Sequence, residues 1–465
     1  MWENVFSRPG WGRRVGRIKG RPWQPAFGSY TPSVGWFRGR VARPHRPLGK
    51  EVAMSTHRSL RRVVVWIAVG LALPWLAPAA RAEKPVKLGF VYIMSGPFAT
   101  YGEFAKQGAQ LAIDEINGAG GILGRKVEGY FEDSTGKPDV AIRAIRKLVY
   151  QKGVDCVIGL DSSGVAKSVV PAMKELRTPL IITHAATPDV TGSVCNRYTF
   201  RVSVNINQNC KAGALVAAKS KAKVWATVGP DYAFGYQSWE YFRKYLKELR
   251  PDVTFLPDDQ VAFAPIKTTD FSSYITKIMK AKPEGVFISL WGGNLIDFVR
   301  QARDLGFFDG RFDVLMSLGG ATEVLYALKD RMPEGVWVGT RYWFLANDSA
   351  RNRAFVEAYR KRYGQYPSYN AHGAYGAVYA YKAAAEKAGS IDKEAVVGAL
   401  EGLSVELPVG RITLRPEDHQ ALTPATWGRT ARDPAYPIPI LNPVRVFPAD
   451  QVTPSVAETG CNLAR

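Results

Sequence analysis

Short runs of β-branched and aromatic residues alternate with helical patterns along most of this chain, and this alternation limits the possible folds most strongly. VKLGFVYI (86–93) is typical of a buried strand, residues 104–117 form a helical pattern with a small-residue face, and KVEGYFED (126–133) is the next strand. Strands and helices in this order predict a doubly wound α/β architecture. A second set of similar size follows Asn205, so we expect two lobes.

A glycine-rich stretch follows the first predicted helix and invites comparison with a phosphate-binding loop. Its glycines, at 118, 120, 121 and 124, include no pair five residues apart followed directly by Lys. Phosphate loops also run from a strand into a helix, whereas here the helix comes first. We therefore expect these glycines to end the helix and turn the chain into the next strand.

Residues 54–82, MSTHRSLRRVVVWIAVGLALPWLAPAARA, have a basic start, an apolar run over 63–77 and an Ala-Arg-Ala pattern at the end. This pattern predicts a signal peptide cleaved after Ala82 and export of a soluble protein to the periplasm. A membrane anchor is the alternative, but an apolar run of about 15 residues interrupted by Pro74 is shorter than the ~20 residues that span a bilayer.

Residues 1–53 are rich in Arg, Gly, Pro and Trp without a sustained period, so we expect them to be disordered or, if Met54 is the true start, not translated. A nucleic-acid-binding arm is the alternative. Without the 15 Lys+Arg and 2 Asp+Glu of residues 1–82, the formal net charge falls from +21 to +8. That excess requires no nucleic-acid partner.

Four cysteines are too few for a disulfide scaffold, so the lobes must rest on their own apolar cores. Cys195 and Cys210 flank a strand-like segment and could pair in an oxidising compartment. Cys156 lies in an apolar run and is expected to be buried, and Cys461 lies near the C-terminus.

Ligands of open α/β sheets bind beyond the carboxyl ends of the strands, so the loops there are the candidate site. Tyr101, Tyr232, Phe234 and Trp291 lie in these loops and suggest the walls of an apolar pocket, although ordinary core positions are the alternative. Ser163 opens a helix, where a carboxylate is favoured, although a simple helix cap is the alternative. The loops are MSGPFATYG (94–102), DSSG (161–164), HAAT (184–187), GPDYAFG (229–235), WGGN (291–294) and SLGG (317–320).

Catalytic patterns are absent from the sequence: it has no G-x-S-x-G elbow and no H-E-x-x-H motif. His184, His372 and His419 are not at metal-ligand spacing, and His184, which could act as a base, is more simply a structural histidine. We expect neither an enzyme nor a metal or other cofactor.

The block VYIMSGPFATYGEFAKQGAQLAIDEINGAGGILGRKVEGYFED, followed by VIGLDSSG, HAAT and RQARDLG, resembles the type I periplasmic substrate-binding proteins of the leucine/isoleucine/valine-binding kind. These are receptors of hydrophobic amino acid ABC importers, and the resemblance covers residues 87–418. It implies two lobes joined by three crossings that close on a small ligand. We expect one lobe from 83–204 plus 341–409 and the other from 205–340 plus 410–465.

The resemblance also implies individual roles. Carboxylate-binding hydroxyls and amides fall on Ser163, Ala185 and Thr187, and aromatic pocket positions fall on Tyr101, Phe234 and Trp291. The acidic residue that pairs with a ligand ammonium in amino-acid-binding relatives falls on Gly319, although Asp231 or Glu323 could reach in. The family's first-lobe disulfide has no counterpart, because Asp133 and Asp161 stand at its positions.

These observations predict a monomeric periplasmic receptor of an ABC importer that binds a small hydrophobic or aromatic carboxylate and delivers it to a membrane permease. The missing acid at Gly319 favours a ligand without an α-ammonium, because a buried ammonium without a partner is costly. A receptor for branched-chain or other hydrophobic amino acids is the first alternative. A sensor that regulates a partner protein and a hydrolase of unfamiliar type are the others.

Overall fold

The computed structural model describes residues 84–463. The predicted signal peptide at 54–82 and the segment 1–53 lie outside the described residues. Among the helices that are described, none is long and apolar enough to cross a membrane.

The first half of the chain forms a parallel sheet of five strands in the order β2-β1-β3-β4-β5, with helices packed on it. This is the core of lobe 1, and the buried strands alternate with helices as the sequence predicts. Its elements are β1 Val86–Tyr92, α1 Ala99–Gly118, β2 Val127–Asp133, α2 Pro138–Lys147, β3 Cys156–Gly159, α3 Ser163–Leu176, β4 Leu180–Ile182 and β5 Thr199–Arg201.

The second set of units forms the core of lobe 2. Its central strands β6, β9, β10 and β11 pair in parallel, and β7 and β8 both pair with β6. The elements are α4 Ile206–Ala217, β6 Val224–Pro230, α5 Ala233–Leu249, β7 Thr254–Phe255, β8 Ala262–Ala264, α6 Ser272–Ala281, β9 Gly285–Ile288, α7 Gly292–Asp304, β10 Asp313–Met316, α8 Thr322–Leu328 and β11 Trp337–Thr340.

The last third of the chain contributes to both lobes. Helices α9 and α10 pack against α1, whereas β15 pairs antiparallel with β11 and β16 pairs antiparallel with β15, which extends the lobe 2 sheet. The elements are α9 Ala350–Tyr363, α10 Tyr369–Ala388, α11 Lys393–Leu400, β12 Ser404–Leu407, β13 Gly410–Leu414, β14 Ala421–Leu422, β15 Ala425–Ala431, β16 Ile440–Phe447, α12 Ala449–Val452 and α13 Val456–Thr459.

The chain crosses between the lobes after β5, after β11 and between β14 and β15, which is the three-crossing hinge that we expected. Arg201 connects the first and third crossings: its Nε donates to Gln420 Oε1 at 2.7 Å and its Nη1 to the Thr187 carbonyl at 2.6 Å. The Gln420 amide in turn donates to the Ser203 carbonyl at 3.0 Å. Burial lowers the pKa of Arg201 to about 9, so it remains charged at neutral pH.

The third crossing comes later than the predicted boundary at residue 410. Strands β12, β13 and β14 form a small antiparallel sheet beside α10, and the Arg201 amide donates to the His419 carbonyl at 3.0 Å. Residues 410–422 therefore pack with lobe 1. The other lobe bounds given above stay a proposal.

The glycine-rich stretch after α1 forms a turn of the backbone, as predicted. Gly121 has φ +84°, and a Cβ there would lie 2.0 Å from the Arg125 carbonyl oxygen, so only glycine fits. The stretch ends α1 at Gly118 and turns the chain into β2.

The predicted Cys195–Cys210 disulfide is wrong. Cys195 bonds instead to Cys461, whose Cα lies 5.7 Å away, because α13 packs against the short 3₁₀ helix Pro188–Thr191 of lobe 1. Cys210 lies on a buried face of α4, where its thiol donates to the Ser238 carbonyl at 3.3 Å. Cys156 is a buried free thiol, as expected.

Candidate functional site

A small pocket lies between the lobes, at the carboxyl ends of both sets of parallel strands. Its walls come from both lobes and from the hinge. The lining residues are Tyr101, Asp161, Ser163, His184, Ala186, Tyr232, Phe234, Trp291, Leu318, Arg341 and Tyr369.

The structure brings five of the predicted site residues together in this pocket: Tyr101, Ser163, Tyr232, Phe234 and Trp291. Each is held by the first turn of a helix or by the loop before it, where parallel strands of an open sheet place ligand contacts.

The aromatic residues form a continuous wall that crosses from one lobe to the other. Trp291 lies 4.1 Å from Phe98 and 5.3 Å from Tyr101, measured between ring centroids, and Tyr101 lies 6.0 Å from Tyr369. The Trp291 indole also donates to the Tyr232 hydroxyl at 3.0 Å. A flat apolar group would therefore meet rings on several sides.

The two lobes touch at the edge of this wall, so the structure is a closed form. The Gly292 amide of lobe 2 donates to the Tyr101 hydroxyl of lobe 1 at 3.2 Å. Gly292 has φ +54°, and a Cβ there would lie 2.5 Å from Phe98 Cδ1. Glycine at this position allows the close approach of the lobes.

Of the polar residues that the resemblance assigns to the ligand carboxylate, one lines the pocket and the others do not. Ser163 lines the pocket and its hydroxyl oxygen accepts the Thr187 amide at 3.1 Å. The Thr187 hydroxyl accepts the Asp189 amide at 3.3 Å as a helix cap, and the Ala185 amide donates to the Leu160 carbonyl at 2.8 Å. The amides of Ala185 and Thr187 are thus already used, and Ser163 is the hydroxyl that faces the ligand space.

Arg341 is the main residue that the sequence interpretation missed. It follows β11 at the second crossing, is 7 % exposed and lines the pocket. Its guanidinium donates through Nη1 to the His184 carbonyl and lies 5.2 Å from the ring centroid of Tyr369, while Nε has no hydrogen-bond partner. Burial lowers the pKa of Arg341. The sequence did contain a signal for this residue, because Arg341 is a charged residue directly after the buried strand β11.

Asp161 is the acidic side chain that lines the same pocket. Its Oδ2 accepts the Ile93 amide at 2.6 Å, and its buried Oδ1 has no hydrogen-bond partner, although His184 Nδ1 lies 3.3 Å from it. His184 Nε2 bonds to the Asn370 carbonyl at 3.0 Å, so Nε2 carries a proton. His184 Nδ1 bonds to the Thr183 hydroxyl at 2.8 Å. Both nitrogens of His184 are therefore engaged, which suits the structural role expected for it. Asp161 and Arg341 share no ion pair.

The positions considered for an ammonium partner do not line the pocket. A Cβ on Gly319 would lie 2.7 Å from Val338 Cγ1, against the core of lobe 2, and Leu318 faces the pocket instead. Asp231 is exposed and its carboxylate accepts the Tyr236 hydroxyl. Glu323 is buried behind Tyr101 and Tyr369 and binds Asn370. Across residues 84–463, no group of three His, Cys, Asp or Glu side chains could hold a metal ion.

The sequence is similar to known proteins over most of its length. A sequence model of the periplasmic binding proteins matches residues 85–433. The Leu/Ile/Val-binding protein homolog 4 of Brucella melitensis is 27 % identical over 386 residues, which cover 78 % of this chain and 88 % of that protein.

Two solved structures have the same fold. An amino acid ABC transporter substrate-binding protein from Pseudomonas fluorescens superposes with a TM-score of 0.73 at 24 % identity, covering 82 % of this chain and all of that one. A solute-binding protein from Rhodopseudomonas palustris in complex with 3,4-dihydroxybenzoic acid gives a TM-score of 0.71 at 24 % identity, covering 78 % and 98 %. The chain therefore belongs to the type I periplasmic binding proteins, in the leucine/isoleucine/valine-binding family of ABC transporter substrate-binding proteins.

Proposed function

We propose that this chain is the exported receptor of an ABC importer and that it closes on a small hydrophobic or aromatic carboxylate, with Arg341 binding the carboxylate. The single observation that carries the ligand class is the buried guanidinium, which has an unpaired Nε and no ion-pair partner among residues 84–463. Asp161 acts on this guanidinium only from a distance, without a salt bridge. A ligand carboxylate can contact it directly and accept two hydrogen bonds from it.

The chemistry of the pocket walls supports a ring acid. Tyr101, Phe234, Trp291 and Tyr369 give flat apolar walls on which a ring can pack. Ser163 adds a hydroxyl beside the same space. The Rhodopseudomonas palustris protein of the same fold holds 3,4-dihydroxybenzoic acid, so a ring acid fits this architecture.

A receptor for hydrophobic amino acids is the second candidate, and Asp161 is the observation that favours it. Its unpaired Oδ1 lies in the pocket wall and could accept the ligand's α-ammonium, while Arg341 binds the carboxylate. The Brucella relative is named for leucine, isoleucine and valine.

Calorimetry with leucine, valine, phenylalanine, benzoate and 4-hydroxybenzoate separates the two candidates. We expect the ring acids to bind at micromolar or tighter Kd and to keep most of that affinity in Asp161→Asn. Micromolar binding of leucine, no heat from the ring acids, and loss of leucine binding in Asp161→Asn would establish the second candidate instead. We also propose that the receptor is a monomer and that it delivers its ligand to a membrane permease. Size-exclusion chromatography of the purified protein tests the monomeric state.

A further inference from the structure

A second contact between the lobes lies behind the pocket, where α8 of lobe 2 meets the start of α10 of lobe 1. Glu323 is 3 % exposed and Asn370 is fully buried. The Asn370 side-chain amide donates through Nδ2 to Glu323 Oε1. This hydrogen bond therefore joins the two lobes in the closed form.

The other two polar atoms of this pair are both without a partner. Glu323 Oε2 and Asn370 Oδ1 are buried, and neither has a hydrogen bond. If the carboxyl is ionised, both atoms are acceptors and neither can satisfy the other. A proton on Oε2 turns it into a donor, and an acid and an amide that share one hydrogen bond can then form a second. Burying unpaired acceptors is costly, so the closed contact favours the neutral acid.

Among residues 84–463, no cation faces Glu323 to hold it ionised. The titratable groups that face it are the phenols of Tyr101 on α1, Tyr359 on α9 and Tyr369 on α10, whose pKa values burial raises. Hydrogen bonding to its own backbone amide, to Asn370 and to Ser368 at the start of α10 lowers the pKa of Glu323, but burial raises the pKa by more. On α7, Arg300 donates to the Ala327 carbonyl at the far end of α8.

We propose that Glu323 closes against Asn370 in its protonated form, so that ligand-driven closure takes up a proton and Glu323 is not available as an ammonium partner. The inference rests on the proposed function, because it requires that a ligand closes the lobes. It assigns to Glu323 a role in closure, not contact with the ligand.

The sign of the pH effect follows from the two states. Exposed in the open form, Glu323 would titrate near its ordinary pKa of 4.5, whereas burial raises the pKa to about 7 in the closed form. Its favourable contribution to closure is therefore fully present below about pH 4.5 and is lost as the pH rises through about 7. Ligand affinity should fall up to about tenfold per pH unit inside that window and level off above it.

The test is calorimetry near pH 6 in two buffers with different heats of ionisation, using 4-hydroxybenzoate or leucine, whichever binds in the panel above. We expect the wild type to take up a proton on binding and Glu323→Gln to take up less. The glutamine amide stays neutral and can still bond to Asn370, so this variant should bind with an affinity that does not fall between pH 6 and 8. Glu357→Gln, an exposed acid on α9, is the matched control and should behave as wild type.

Two results would overturn the proposal: no proton uptake by the wild type between about pH 5 and 7, or uptake of the same size in Glu323→Gln, which would assign the proton to another group. Proton uptake by the wild type tests the proposal even if the Glu323→Gln variant folds poorly. In both failures the ligand still binds, so the proposed receptor function would stand.

Discussion

The Tyr101 hydroxyl of lobe 1 accepts a hydrogen bond from the Gly292 amide of lobe 2, and the two atoms are 3.2 Å apart. Tyr101 also lines the ligand pocket. One side chain thus contacts both the ligand space and the opposite lobe, which gives a bound ring a direct way to stabilise the closed form.

Gly292→Ala should weaken ligand binding without unfolding the protein. The new Cβ would lie 2.5 Å from Phe98 Cδ1 in the closed form and has space once the lobes separate. Overpacking of this kind costs about 1 to 3 kcal/mol, or roughly 5- to 150-fold in affinity. Calorimetry with 4-hydroxybenzoate checks this.

The control for that change is Gly310→Ala, because Gly310 also has a positive φ of +89° but no atom within 4 Å of its added Cβ. It should bear similar backbone strain and bind as wild type. Equal affinities for the two alanine variants would show that the contact at Phe98 does not govern closure.

Ser163→Ala and Thr187→Val should have unequal effects on affinity. Ser163 presents its hydroxyl to the pocket, and loss of a hydrogen bond to a carboxylate costs about 1.5 to 3 kcal/mol, or roughly 10- to 150-fold. The Thr187 hydroxyl caps the turn at Asp189, so Thr187→Val should lower the melting temperature more than the affinity. The opposite order would assign the carboxylate to Thr187, as the resemblance implies.

The disulfide correction is testable by thiol counting. Denatured, unreduced protein should show two free thiols, those of Cys156 and Cys210. Cys461→Ser should destabilise the protein by about 2 to 5 kcal/mol, because the bond closes a loop of 266 residues.

Cys195→Ser and the double variant serve as the internal control, since each removes the same bond. Their loss of stability should match that of Cys461→Ser. Additive losses, or reactive Cys195 in exported protein, would contradict the pairing.

The regular part of the fold was predictable because strands buried on both faces are short apolar runs, and helices α1, α2 and α5 carry periodic apolar patterns. Helix α4 was missed: a strand-like pattern runs into it from β5, and a capping box between Asn205 and Gln208 starts it. Edge strands β7 and β8 hold two and three residues, too few for a period. The disulfide depends on where the tail returns, which residue spacing does not encode.

The site was partly predictable for a similar reason. Aromatic residues after strands mark a pocket mouth in any doubly wound lobe, so Tyr101, Phe234 and Trp291 could be named. Arg341 and Tyr369 come from the second crossing and from the start of a helix that returns to lobe 1. Their presence in the pocket depends on how the two lobes close, which local patterns do not encode.

The most direct test of the central claim compares 4-hydroxybenzoate with its neutral amide, 4-hydroxybenzamide, on wild type and on Arg341→Met. Arg445→Met is the matched control, because Arg445 lies 5.3 Å from the ring of Trp337, outside the pocket lining. Loss of a buried charge pair costs about 2 to 5 kcal/mol, so the wild type and Arg445→Met should prefer the acid by roughly 30-fold or more. Arg341→Met should lose most of that preference. Equal binding of acid and amide to the wild type, or an unchanged preference in Arg341→Met, would contradict the assignment of Arg341 to the ligand carboxylate.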